Sequence, residues 1–149
     1  MEGAKKALKY ALGLLNRKDY TGYQLRNKLK EKGFDDDVID ETLNYLKEKN
    51  LINDERFAEN YVYFRLQRGY GTVRIAFELK QKGVDDDIIE RAIRDADERE
   101  AAKKVLSKHY TETGGAKERL KAINLLKRRG FKYDTINELF DEGVWYENV

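Results

Sequence analysis

The sequence predicts an all-α fold: an elongated array of three tandem three-helix repeats, about nine helices in all. Three observations lead there. The 149 residues include no proline and are rich in Lys, Glu and Arg, which lose little rotamer freedom in a helix. The stretch YTGYQLRNKLKEKGFDDDVIDETL from Tyr20 realigns without gaps onto YGTVRIAFELKQKGVDDDIIERAI from Tyr70, with nine of 24 positions identical, against about two by chance at ordinary composition. A weaker third copy, LLKRRGFKYDTINELF, sets Leu126, Gly130, Ile136 and Phe140 where Leu29, Gly33, Ile39 and Leu43 stand in the first. The repeats are accordingly expected at 1–50, 51–97 and 98–149.

In the first copy, Ala7, Leu8, Ala11, Leu14 and Leu15 lay an apolar stripe on a helix ending near Arg17. Thr21 and Gln24 match the T-x-x-Q capping box that opens a second helix, and Gly33 closes it. Asp35 to Asp37 then supply a cap and first-turn acids for a third helix, whose stripe is Val38, Ile39, Thr42, Leu43 and Leu46. In the second copy Asn53 caps a helix bearing Phe57, Ala58, Tyr61, Val62 and Phe64. Thr72 starts the next, which stops at Gly83, and Asp85 starts the sixth. The third copy begins near Ala101 and is interrupted by a loop from Thr111 to Ala116 that contains Gly114 and Gly115. One difference between copies bears on packing. On the second helix Tyr23 and Asn27 face away from Leu25 and Leu29, and their counterparts in the second copy are the apolar Val73 and Phe77. A middle repeat buried on two sides needs that change, so Val73 and Phe77 are expected to be covered.

Composition narrows the function. Without cysteine there is no disulfide framework, thiol nucleophile or Cys-based zinc site. The single histidine, His109, stands without a companion set for triad chemistry and reads as a helix C-terminal residue that suits the dipole. No catalytic residue, metal site or cofactor is therefore expected. The longest uncharged apolar run, Tyr10 to Leu15, is far short of the ~20 residues of a membrane span. The chain opens on a charged amphipathic pattern instead of a signal peptide, so a soluble cytoplasmic protein is expected. The acidic triplets Asp35–Asp37 and Asp85–Asp87 lack the alternating ligands and terminal Glu of a calcium loop and read as helix starts.

The charge pattern points to a partner. Lys and Arg number 30 against 28 Asp and Glu, so much of the charge is a solvated mixed surface. Two sets stand above it. Lys28, Lys30 and Lys32 at the end of the first copy's second helix are echoed by Lys80 and Lys82, and by Lys127, Arg128 and Arg129 in the third copy. First-helix ends add Arg17 and Lys18, then Arg65 and Arg68, with Arg74 just past the turn. Stacked repeats would set these ends in a row as a basic stripe, although lysines near helix C-termini also simply favour the dipole. The turn Gln67-Arg68-Gly69-Tyr70-Gly71 lacks the P-loop pattern. It reads either as a turn alone or as a basic aromatic turn that touches a partner, with Tyr70 as a stacking surface.

The middle copy carries a resemblance. Asp54, Phe57 and Ala58 meet a D-x-x-F-A opening. In the run RGYGTVRIAFELKQKGV from Arg68, the residues Gly69, Gly71, Arg74, Ile75, Glu78, Leu79, Lys82 and Gly83 hold the places of the RecX family. The first copy's Leu25 to Gly33 and the third copy's Arg128 to Phe131 are also similar to that family, and the likeness runs from about Ala7 to the end. Departures are Asn53, where an acid is common, and Thr72, where many have proline; both suit a helix cap. RecX proteins are bacterial regulators of the recombinase RecA. The resemblance implies three tandem three-helix units and no catalytic activity. It also implies binding along the groove of the RecA filament on single-stranded DNA, with dampened ATP hydrolysis, strand exchange and coprotease activity, and so an effect on recombination, DNA repair and the SOS response. The expected contacts come from the charge argument alone: Arg17, Lys18, Arg26, Lys30, Arg65, Arg68, Tyr70, Arg74, Lys80, Lys82, Lys127, Arg128 and Arg129. A monomer with weak direct DNA binding is expected. The alternative is a helical nucleic-acid-binding module acting without RecA, since capped three-helix units resemble helix-turn-helix domains. A net charge of +2 is modest for that role.

Overall fold

The computed structural model describes residues 2–109 and 115–141. Among them are nine α-helices and no strand, as the periodicity requires: α1 (Glu2–Leu15), α2 (Gly22–Glu31), α3 (Asp36–Glu48), α4 (Asp54–Gln67), α5 (Thr72–Gln81), α6 (Asp86–Arg94), α7 (Arg99–His109), α8 (Gly115–Arg128) and α9 (Tyr133–Asp141). The described residues form two compact units. One holds residues up to Ala58 together with Leu79–Ile89; the other holds Glu59–Glu78 and the residues from Glu90 onward.

In the first unit, α1, α2 and α3 close around Ala7, Ala11, Leu25, Leu29, Ile39, Leu43, Leu46 and Ile52. Leu25, Leu29 and Leu46 are wholly buried, and each full burial contributes about 2 kcal/mol. The capping box at the start of α2 is complete. The Thr21 hydroxyl accepts from Gln24 N, and the Gln24 side chain accepts from Thr21 N, both at 3.1 Å. The same hydroxyl donates to the Lys82 carbonyl at 2.6 Å, and Gly22 N donates to Asp54 Oδ1 at 2.9 Å. Thr21 therefore ties the first copy to the second within this unit.

The end of α2 shows how the chain reverses. Gly33 takes φ +98°, a conformation costly for a side chain, and lets Phe34 N donate to Leu29 O at 3.2 Å while Gly33 N donates to Lys30 O at 3.0 Å. The long bond of this motif recurs from Leu51 to Leu46 (2.8 Å), Tyr70 to Arg65, Val84 to Leu79 and Phe131 to Leu126 (3.1 Å each).

In the second unit, α7, α8 and α9 surround Ala102, Val105, Leu106, Ala122, Leu126, Ile136, Leu139 and Phe140, with Leu66 of α4 packed against them. Glu98, only 4% exposed, links three helix starts. Its carbonyl accepts from Ala102 N in the first turn of α7. Its Oε1 accepts from Thr72 N at 2.9 Å and from the Thr72 hydroxyl at 2.5 Å, at the start of α5. Its Oε2 accepts from Lys132 N at 2.8 Å, just before α9. Beside it the turn of the second copy meets that of the third: Gly71 N donates to Arg129 O at 2.8 Å and Val73 N to Gly130 O at 3.0 Å.

Several sequence expectations are corrected. Val73 and Phe77 are 57% and 61% exposed, not covered, and Phe64 is 59% exposed. The docking against the third copy is made by the backbone at the N-terminal end of α5, so the outer face of that helix stays open. Asp35 occupies the N-cap position of α3 but its side chain makes no capping bond. Asp36 and Asp86 instead reach Lys30 and Lys80 at 3.9 and 3.4 Å. Thr72 does start α5, as expected, and its donors are satisfied by Glu98. Of the expected loop, 111–114 lie outside the described residues, while Gly115 and Ala116 already belong to α8.

Candidate functional site

The turn between α4 and α5 gathers cations around one ring. The last turn of α4 delivers Arg65, the left-handed Gly69 (φ +89°) reverses the chain, and the first turn of α5 delivers Arg74. The backbone bond from Gly71 to Arg129 adds a third guanidinium from beyond α8. The central carbons of Arg65, Arg74 and Arg129 lie 3.9, 4.6 and 5.1 Å from the Tyr70 ring centroid, all within the ~6 Å at which a cation is held by the ring quadrupole.

One carboxylate anchors the cluster. Glu78 accepts from Arg65 Nε at 3.0 Å, Arg65 Nη2 at 2.8 Å, the Tyr61 hydroxyl at 3.0 Å and Arg74 Nε at 3.3 Å. Burial opposes its ionisation, yet the donors from Arg65, Tyr61 and Arg74 outweigh burial and hold its carboxyl below the ordinary value. Burial, then the bond to Glu78, raises the Tyr61 phenol; burial works against the Arg65 charge, but Glu78 more than offsets it and raises Arg65. Arg65 is thus committed inward, with its side chain 18% exposed, whereas Arg74 is 44% exposed and reaches solvent.

A pH-dependent prediction arises here. A carboxylate whose folded value is depressed stabilises above its unfolded value, near 4.5, and that stabilisation is lost as pH falls through the folded value. Glu78→Gln is expected to cost about 2 kcal/mol at neutral pH, because it leaves part-buried guanidinium donors short of a partner. The difference from the wild type should shrink as pH falls below 4.5, as read from urea unfolding at pH 7, 5 and 3.

The other expected contact residues are placed as follows. In the second unit Arg68, Lys127 and Arg128 are exposed, and Lys127 Nζ lies 4.9 Å from the Tyr133 ring centroid. Arg129 donates through Nη1 to Gly69 O at 3.3 Å and Arg68 O at 3.5 Å. In the first unit Arg17 is exposed, and Lys18 Nζ sits 4.8 Å from the Tyr20 ring centroid. Arg26 pairs with Asp40 at 2.7 Å, Lys30 with Asp36 and Lys80 with Asp86. Lys82 is half-buried, its carbonyl held by Thr21. The fold therefore brings Arg65, Tyr70, Arg74 and Arg129 together around one ring, while acids beside Arg26, Lys30 and Lys80 neutralise much of that part of the stripe. Sequence reasoning missed Glu78 as the anchor. The signal was its place one helical turn after Arg74 and opposite Arg65.

The family model for the first three-helix domain of RecX matches residues 7–46, and that for the second matches 53–93. The regulatory protein RecX of Haemophilus influenzae (strain 86-028NP) is 37% identical over 142 residues, covering 91% of this chain and 93% of the relative. That of Pasteurella multocida (strain Pm70) is 54% identical over 72 residues, 48% of this chain. The chain spans only 44% of that relative's length, and 47% of that of RecX from H. influenzae (strain PittEE). Among solved structures, RecX from Lactobacillus salivarius superposes with a TM-score of 0.88 at 26% identity over 99% of both chains.

Proposed function

The chain belongs to the RecX family, and from that membership we propose that it is a negative regulator of the RecA recombinase. The match over nearly the full length of the H. influenzae relative carries this reading. The protein binds along the groove of the RecA filament on single-stranded DNA and lowers ATP hydrolysis, strand exchange and coprotease activity, so that recombination, repair and the SOS response are held back. It works by binding, as a cytoplasmic monomer without cofactor; no described helix is long and apolar enough to cross a membrane. Three repeats at 1–50, 51–97 and 98–149 would touch successive protomers, and such multivalency raises affinity for a filament above that for a single RecA.

The geometry supports a division of labour among the proposed contacts. Arg65 and Tyr70 hold the turn, the exposed Arg68, Arg74, Lys127 and Arg128 meet the partner, and Arg17 and Lys18 of the first unit add secondary contacts. The experiment is single-stranded-DNA-dependent ATP hydrolysis by the cognate RecA, titrated with this protein, beside DNA binding by the protein alone. Hydrolysis should fall at protein concentrations too low to coat the DNA. Unchanged hydrolysis with tight DNA binding by the protein alone would transfer the function to a nucleic-acid module acting without RecA.

A further inference from the structure

Within the second unit, the end of α4, the second half of α7 and Arg129 enclose a cleft of about 250 Å³. Leu66, Ala101 and Val105 give it an apolar wall, and Arg68, Lys104, Lys108 and Arg129 line it together with Gln67, Gly69, Ser107 and His109. Elsewhere in this unit several cations, though not all, meet carboxylates: Arg65 and Arg74 with Glu78, Arg99 with Glu138, Lys103 with Glu100 and Lys121 with Glu118. Among the described residues no carboxylate pairs with any of the four cations of the cleft. Converging like charges without a counter-charge repel one another, and an external anion relieves that repulsion.

The cleft is also built. The backbone at Gly69 comes so near that a Cβ there would lie 2.8 Å from Val105 Cγ2 and 3.0 Å from Arg129 Nη1. The carbonyls of Arg68 and Gly69 accept from Arg129 Nη1; among the described residues no acceptor takes its Nε or Nη2 donors, which a ligand can engage. We infer that this cleft is a phosphate-binding site, taking a phosphate carried by a nucleotide, either free or as one unit of a strand. A phosphate offers several strong acceptor oxygens, which a guanidinium can engage in pairs and lysines as point charges. The volume admits the phosphate and the first atoms of its ester along the Leu66–Val105 wall, and is small for a whole nucleotide.

The test uses the full chain without RecA, so it succeeds or fails independently of the regulatory reading. Amide NMR shifts would be followed during titration with inorganic phosphate, a nucleoside monophosphate and a short oligothymidylate. Saturable shifts are expected at Arg68, Gly69, Lys104, Lys108 and Arg129. The double variant Lys104→Glu, Lys108→Glu should bind phosphate at least tenfold more weakly, with its melting temperature kept because both side chains are exposed. Arg68→Gln provides a second variant with the same expected direction. If oligothymidylate shifts the same amides and weakens in the variants, the phosphate belongs to a strand; if only the monophosphate does, it belongs to a free nucleotide. Shifts spread evenly over the surface lysines, or unaltered phosphate affinity in both variants, would overturn the site.

Discussion

Gly71→Ala is expected to destabilise the second unit by about 4 kcal/mol. The added Cβ would fall well inside contact distance of Gly130 O, Phe131 N and Phe131 Cα. All three are backbone atoms, so no side chain can swing aside. The two turns must separate, and the bonds from Gly71 N to Arg129 O and from Val73 N to Gly130 O stretch or break. Buried donors left without partners cost about 1–3 kcal/mol each. Arg129 would also move from the Tyr70 ring, loosening the guanidinium cluster. Gly33→Ala is the control. Its φ of +98° penalises a side chain, but a Cβ there meets nothing within 4 Å, so the loss should be about 1 kcal/mol. Urea unfolding followed by far-ultraviolet circular dichroism reads both, and equal losses for the two variants would refute the close-approach argument.

The second large effect is expected from Glu98→Gln, at about 3 kcal/mol. The wild-type carboxylate accepts from Thr72 N, the Thr72 hydroxyl and Lys132 N, all donors, and lies near the positive ends of α5 and α9. An amide of the same shape keeps one oxygen but turns an NH2 group toward one of those donors, and it removes the negative charge. Glu98→Asp keeps the charge and shortens the reach, so it should lose one of the two ends and cost less than the amide. Denaturant unfolding of both variants ranks them; a glutamine variant as stable as wild type would show that shape alone suffices at this position.

What was legible in the sequence was local. The Thr21–Gln24 capping box, the Asn53 cap and the glycine at 33 act within a few residues of where they stand, and the repeat displays that glycine again as Gly83. Asn53 Oδ1 accepts from Arg56 N at 3.0 Å, as a cap should. Glu98 was not legible, because its partners stand 26 and 34 residues away and nothing periodic connects them. Nor was the role of Gly71, which aligns with Thr21: the first copy needs a capping hydroxyl there, while the second needs the absence of a side chain against the third copy's turn. Val73 and Phe77 misled because apolarity alone does not say which end of a helix docks. The candidate site divides in the same way. Arg65, Tyr70 and Arg74 are near neighbours in the chain and could be grouped from the sequence. The addition of Arg129 and the diversion of Arg65 into Glu78 depend on the fold.

The reversal that ends α2 has a consequence for how such a chain varies over evolutionary time. Five helices end on the same long backbone bond, made by main-chain atoms, and what each ending requires of its sequence is confined to the residue held in the left-handed region. The direction in which the chain leaves each of these helices is therefore set by a single backbone conformation, while the apolar faces decide what packs against what. Exposed side chains such as those of Arg68 and Lys127, which make no part of these reversals, can be changed without redirecting the chain.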